Sequence, residues 1–161
     1  MIYVSGALQG SNSLDEARFL YERMGEAIDV AGGKAYVPHV HTDPVAASHL
    51  SAGDVHSTDM GAIDAADAII VNLNEPSHGV GAEVAIAVQK GIPIFATISS
   101  EKRCSRFLEG MLNGAGVQLF RYETVEEMLD AVRSFVRSKF GNGIQHSSCA
   151  RFDGAGHANR L

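Results

Sequence analysis

Ala68-Ile69-Ile70-Val71 decides the fold. This short apolar run, three of its four residues β-branched, stands between Asp67 and a loop whose turn runs from Asn74 to Gly79. A strand with one wet face alternates apolar and polar residues. A continuous run needs cover on both faces, as in a parallel sheet held between helices. Just before it, Asp54 can cap a helix reaching about Ala66, and just after it Gly81 to Lys90 reads as a helix closed by Gly91.

The same alternation extends in both directions. Met1 to Ser5 is a brief β-forming run stopped by Gly6, and Ser13-Leu14-Asp15-Glu16 is a capping box. The helix it opens carries Ala17, Leu20, Tyr21, Met24, Ala27 and Ile28 on one face and stops at Gly32-Gly33. Ala35 to Val37 reads as a second strand ended by Pro38, and residues 39–53 as a loop holding His39, His41 and His49. Pro93 to Ile98 and Val117 to Phe120 read as further strands, with a short helix over Ser105 to Leu112 between them. Thr124-Val125-Glu126-Glu127 is a second capping box, and its helix carries Met128, Leu129, Val132, Phe135 and Val136. The expectation is one α/β domain over residues 1–140: a doubly wound, Rossmann-like, five-stranded parallel sheet with helices on both faces. Residues 141–161 are rich in Gly, Ser, His, Asn and Arg and are expected to form a flexible tail.

With 161 residues, 45% of them hydrophobic, the chain can build one substantial core. The net charge of −6 argues against a general binder of nucleic-acid polymers, which needs basic surface to meet phosphates. It leaves room for a single nucleotide in a local pocket. Cys104 and Cys149 give no disulfide framework, and no apolar run approaches the ~20 residues that span a bilayer. The opening residues lack a basic stretch followed by an apolar one. A cytoplasmic protein with no membrane partner is expected.

In doubly wound sheets, ligands lie beyond the carboxyl ends of the strands. That rule selects three loops, 6–11, 72–81 and 98–105. The first, Gly6-Ala7-Leu8-Gln9-Gly10-Ser11, can offer amides to a phosphate or serve as an ordinary strand-to-helix turn. In the second, Pro76-Ser77-His78-Gly79-Val80-Gly81-Ala82-Glu83, two glycines let backbone approach a ligand near a helix start. Glu83 and Asp59, each taken alone, also fit solvated carboxylates on helices. His39 and His41 are a close pair, but no Cys or carboxylate cluster completes a ligand set, so neither a metal nor another cofactor is expected.

Together these residues carry a resemblance. Tyr3 with Gly6 and Gly10, then Asp59, then Ala66-Asp67 before an apolar strand, then Pro76-Ser77-x-Gly79-Val80-Gly81-x-Glu83, is similar to the nucleoside 2-deoxyribosyltransferase superfamily. Within it the likeness is to the 2′-deoxynucleoside 5′-monophosphate N-glycosidases, over about residues 1–137. The resemblance implies Glu83 as the nucleophile at the anomeric carbon, Asp59 as the group that positions the sugar or handles the proton of the departing base, and Tyr3 as the residue that orients Glu83. It implies that Gly6, Leu8, Gln9, Gly10, Ser77 and Gly79 hold the 5′-phosphate. It further implies that Ser105 reaches the phosphate of a neighbouring subunit, which makes a homodimer with a shared site. The glycosidase pattern has a serine and an arginine where this chain has Ala7 and Gln9, which removes a charge-assisted phosphate contact.

The expected reaction is hydrolysis of a nucleoside monophosphate to free base and sugar 5-phosphate through a glycosyl-enzyme. Two alternatives stay open. A transferase would resolve the same intermediate with a second base, and a nucleotide-binding module on this fold would not turn over at all.

Overall fold

A computed structural model of the chain describes residues 1–8, 11 and 13–141. Five parallel strands form one sheet: β1 (Ile2–Gly6), β2 (Ala35–Tyr36), β3 (Ala68–Asn72), β4 (Ile94–Ser99) and β5 (Leu119–Tyr122). Their order is β2-β1-β3-β4-β5, so the chain winds outward from β1 in one direction and from β3 in the other. Among the described residues six helices connect or flank them: α1 (Leu14–Val30), α2 (His39–Thr42), α3 (Ala52–Asp64), α4 (His78–Lys90), α5 (Arg106–Gly114) and α6 (Val125–Phe140).

β3 behaves as its composition requires, with every residue from Ala68 to Asn72 buried. Its side chains divide by parity. Ala68 and Ile70 join Ile2 and Val4 beneath α1 and α6, while Ile69 and Val71 join Tyr3 beneath α3, α4 and α5. Both faces are therefore dry. The larger side chains in each layer each contribute on the order of 2 kcal/mol by burial.

Local signals set the helix ends, and several differ from expectation. α3 is capped by Ser51, whose Oγ accepts from the Asp54 amide at 3.1 Å, while the Asp54 carboxylate accepts from the Ser51 amide at 3.1 Å. Asp54 is thus the inner member of a capping box and not the cap itself. α4 begins at His78, earlier than Gly81, because Ser77 adopts an extended conformation and accepts from the Val80 amide. Residues 39–53, expected as a loop, contain α2 and a run of turns. There the Asp43 carboxylate accepts from the Val45 and Ala46 amides and supplies the cap that sequence periodicity does not display. β5 sits slightly later than expected and closes on Tyr122. The Tyr122 hydroxyl accepts from Asn72 Nδ2 at 3.0 Å and Asn74 Nδ2 at 2.6 Å, which pins the β3–α4 loop.

No helix among the described residues is long and apolar enough to cross a membrane. Cys104 has no disulfide partner among the described residues; Cys149 lies outside them, as does the expected tail from residue 142 onward.

Candidate active site

β1 and β3 lie side by side, and their connections leave in opposite directions. The sheet therefore opens between their carboxyl ends. A cleft of about 550 Å³ occupies this switch point. Gly6 and Leu8 line it from the β1 side, Ser77, Gly79, Val80 and Glu83 from α4, Val55, His56 and Asp59 from α3, and the segment from Pro38 to Leu50 covers it.

Alternation along β1 puts Tyr3 and Ser5 on the face beneath α4. Tyr3 is fully buried and Ser5 nearly so. The Tyr3 hydroxyl donates to Glu83 Oε1 at 3.0 Å, and Ser5 Oγ donates to Oε2 at 2.5 Å. Each carboxylate oxygen of Glu83 is therefore held by one hydroxyl. Burial raises the Glu83 pKa above its ordinary value, the bonds from Ser5 and Tyr3 hold it down, and the Asp59 charge raises it again. Tyr3 is pushed far up, chiefly by burial and then by the Glu83 charge, so it keeps its proton and acts as a donor.

Asp59 is half-buried on α3. Burial raises its pKa, while the Thr42 bond and the nearby His41 and His56 favour its charged form. Thr42 Oγ1 lies 3.1 Å from Asp59 Oδ1. Beside this pair, Tyr36 stacks on Tyr3 with ring centroids 5.6 Å apart, and His41 stacks on Tyr36 at 4.8 Å. The His39 ring faces Glu22, with Nε2 and Oε1 3.1 Å apart. The two histidines that looked like a pair therefore have different partners.

The expected site residues do not all assemble in one place. Glu83, Asp59, Ser77, Gly79, Gly6 and Leu8 line one cleft, and Tyr3 supports it from beneath. Gln9 and Gly10 lie outside the described residues. Ser105 lines a different cleft, of about 940 Å³, between the start of α4 and α5; Ser77, Gly79 and Val80 form the ridge shared by both. Arg103, Cys104 and an exposed Phe107 border that second cleft.

Gly6 also differs from expectation in the reason it is glycine. A Cβ there would lie 2.2 Å from Tyr21 Cζ, and the Tyr21 hydroxyl donates to the Ala7 carbonyl at 3.0 Å. The side-chain space at Gly6 is taken by a tyrosine. At Gly79 the nearest atom to such a Cβ is Ser77 Oγ at 3.8 Å, and at Gly81 nothing lies within 4 Å. Those two glycines leave open space above the first turn of α4. There the amides of His78 and Gly79 precede the first intrahelical bond.

Ser5, Thr42 and Asp43 escaped the sequence reading. Ser5 was accessible to it, since a strand that turns Tyr3 toward Glu83 turns Ser5 the same way. Thr42 and Asp43 gave no such signal, because a tertiary fold brings them to Asp59 and Arg18.

Known proteins resemble this chain in sequence and in fold. The family model described as nucleoside 2-deoxyribosyltransferase matches residues 2–141. A Methanosarcina mazei protein, provisionally named 2′-deoxynucleoside 5′-phosphate N-hydrolase 1, is 26% identical over 85% of this chain and 84% of its own. The human 5-hydroxymethyl-dUMP N-hydrolase is 31% identical over 80% of this chain and 76% of its own. Among solved structures, a conserved protein of Enterococcus faecalis V583 superposes with a TM-score of 0.61 at 17% identity, covering 83% of this chain and 97% of that one. The 2-deoxyribosyltransferase of Bacillus psychrosaccharolyticus superposes at 0.56 and 13% identity, covering 80% and 90%. These two likenesses speak for the fold, and the match over residues 2–141 speaks for descent: the chain belongs to the nucleoside 2-deoxyribosyltransferase family.

Proposed function

We infer that this protein hydrolyses the N-glycosidic bond of a 2′-deoxynucleoside 5′-monophosphate, with Glu83 as nucleophile and Asp59 as the proton-handling partner. The observation that carries this reading is the grip on Glu83: a carboxylate at the sheet's switch point, one hydroxyl on each oxygen, facing a second carboxyl across a cleft. The names of the two N-hydrolase relatives support the substrate class.

The chemistry follows from the two environments. Glu83 has two hydroxyl donors that favour its anion, which suits attack on C1′. As the Glu83 oxygen bonds to C1′, the C1′–N bond breaks and its electron pair leaves on the base. Asp59, with its pKa raised by partial burial, gives that base a proton. Water then attacks C1′ of the ester and returns its proton to Asp59. The deoxyribose 5-phosphate departs and Glu83 is an anion again. In this reading Ser77 and the open first turn of α4 receive the 5′-phosphate, and Gly6 and Leu8 form the opposite wall. Ser105 belongs to the neighbouring copy's site, with the Phe107 surface buried in a homodimer; sedimentation equilibrium tests that arm by showing a dimer or a monomer.

Chromatography of 2′-deoxynucleoside monophosphates and matching nucleosides, with and without a second base, tests the whole. Free base with stoichiometric sugar phosphate is expected. Base exchange without net hydrolysis would make the protein a transferase, and no turnover on any substrate would make it a binding module.

A further inference from the structure

Thr42 ends α2 and is 7% exposed. Its Oγ1 lies 3.1 Å from Asp59 Oδ1, 3.5 Å from Oδ2 and 3.1 Å from the Pro38 carbonyl oxygen. Among the described residues it makes the only side-chain hydrogen bond to Asp59. A threonine hydroxyl has one proton and two lone pairs. It can donate to an ionised Asp59. Alternatively, it can turn its proton to Pro38 and accept the proton of a neutral Asp59. The two states are unequal, because the Pro38 carbonyl already accepts from the His41 amide at 2.8 Å and the Thr42 amide at 2.9 Å. A third donor there is crowded, which favours donation to the anion.

The next residue fixes Thr42 in place. Asp43 is 4% exposed, and its carboxylate accepts from Arg18 Nε at 2.7 Å and Nη2 at 2.6 Å. The Val45 and Ala46 amides add two more bonds at 2.8 Å each. Such a fork-on-fork pair is directional, so the end of α2 is stapled to α1 at a set rotation. The same Arg18 bonds hold the Asp43 carboxyl well below the usual carboxylate range, so the staple stays ionised at working pH.

We propose that Thr42, anchored by the Arg18–Asp43 pair, is the positioning residue for Asp59, its hydroxyl donating to the Asp59 anion and accepting from the Asp59 acid. The proposal rests on the reading of Asp59 as proton donor to the leaving base. The other groups facing Asp59 are His41 and Tyr36 from the segment around β2 and α2, His56 from α3, Tyr3 from β1 and Glu83 from α4. None of them is altered in the variants below.

The test is a direct titration of Asp59 by carboxyl ¹³C NMR, beside pH profiles of base release, in the full chain. Thr42→Val keeps the shape and deletes the hydroxyl. Removing a bond to the charged form raises the Asp59 midpoint, by about one pH unit. The basic limb of kcat moves up with it, the low-pH plateau falls about threefold because a weaker acid is a poorer donor, and KM holds. Thr42→Ser restores both readouts. Asp43→Asn, which leaves the Thr42 hydroxyl present but unanchored, gives part of the same shift. An Asp59 midpoint unmoved in both Thr42→Val and Asp43→Asn overturns the proposal whatever the rates do. A midpoint that moves while the kcat profile stays still overturns its catalytic half, and with it the role given to Asp59; the hydroxyl's hold on the carboxyl would stand.

Discussion

Two glycine-bearing loops flank the candidate site, and the structure treats them in opposite ways. At the end of β1, Gly6 has the Tyr21 ring where its side chain would be, 2.2 Å from an ideal Cβ. After β3, Gly79 and Gly81 have nothing crowding them. In sequence, both loops fit the same expectation of backbone laid bare for a phosphate. In the fold, packing fills the side-chain space at the first glycine and leaves that space open at the other two. A glycine records that a side chain is unwelcome without recording what excludes it.

The largest expected effect concerns the residue between the loops. Glu83→Gln keeps the shape and removes the anion, and base release should fall by at least ~10³-fold. Stability should move the other way. The folded Glu83 pKa lies above its unfolded value, so the folded state holds the proton more tightly. Stability is therefore fullest below the unfolded pKa and is lost as pH rises through the interval between the two. Glu83→Gln should abolish that loss and melt at or above the wild-type temperature at pH 7. A Glu83→Gln enzyme with near-normal turnover would leave both loops without a reaction to serve.

Gly6→Ala comes next and bears on packing. The added methyl must displace the Tyr21 ring, at a cost of about 2 kcal/mol, seen as a Tm lowered by about 5 °C. In a Tyr21→Leu background the same substitution should cost less, because the two positions share one space. Equal costs in both backgrounds would break the packing account of Gly6.

Ser5→Ala and Tyr3→Phe each remove one donor to Glu83. Each loss raises the Glu83 pKa, so the acid limb of kcat/KM should move to higher pH by about one unit, more for the shorter Ser5 bond. Two variants with unmoved acid limbs would show that the hydroxyls do not govern the carboxylate.

How far the sequence reached depended on distance along the chain. The layers were legible because the continuous apolar run of β3 and period 3.6 in α1 are local signals. The body of α4 was legible too, yet its start at the Ser77 cap was not, because Gly79 and Gly81 disguised the first turn, since glycine is a poor helix former. The segment after Pro38 hid its structure because an ion pair from Arg18, far upstream, completes its cap at Asp43. In the site, Glu83, Asp59 and Tyr3 were readable as a pattern. Ser5 escaped, although alternation from Tyr3 pointed to it. Thr42 was not readable, because its bond to Asp59 exists only once α2 and α3 pack.

Gly79→Ala has the smallest effect and bears most directly on the contrast between the loops. Gly79 lies in the first turn of α4, and a Cβ there would meet only Ser77 Oγ, at 3.8 Å. Helix propensity alone then favours alanine by about 0.5 kcal/mol, a Tm rise of about 1–2 °C. That gain should carry a functional cost, because the methyl occupies the space over the His78 and Gly79 amides that the proposed function gives to the phosphate. KM for a 2′-deoxynucleoside monophosphate should rise several-fold, by about 1 kcal/mol in binding, with kcat nearly unchanged. Any activity on the matching nucleoside, which has no phosphate to displace, should keep its KM. Gly81→Ala, at a position that lines the Ser105 cleft and not the Asp59 cleft, is the control: it should gain stability without raising KM. If Gly79→Ala stabilises the chain and leaves the nucleotide KM untouched, the open space above α4 is unused, and the glycines of the second loop serve access no more than Gly6 does.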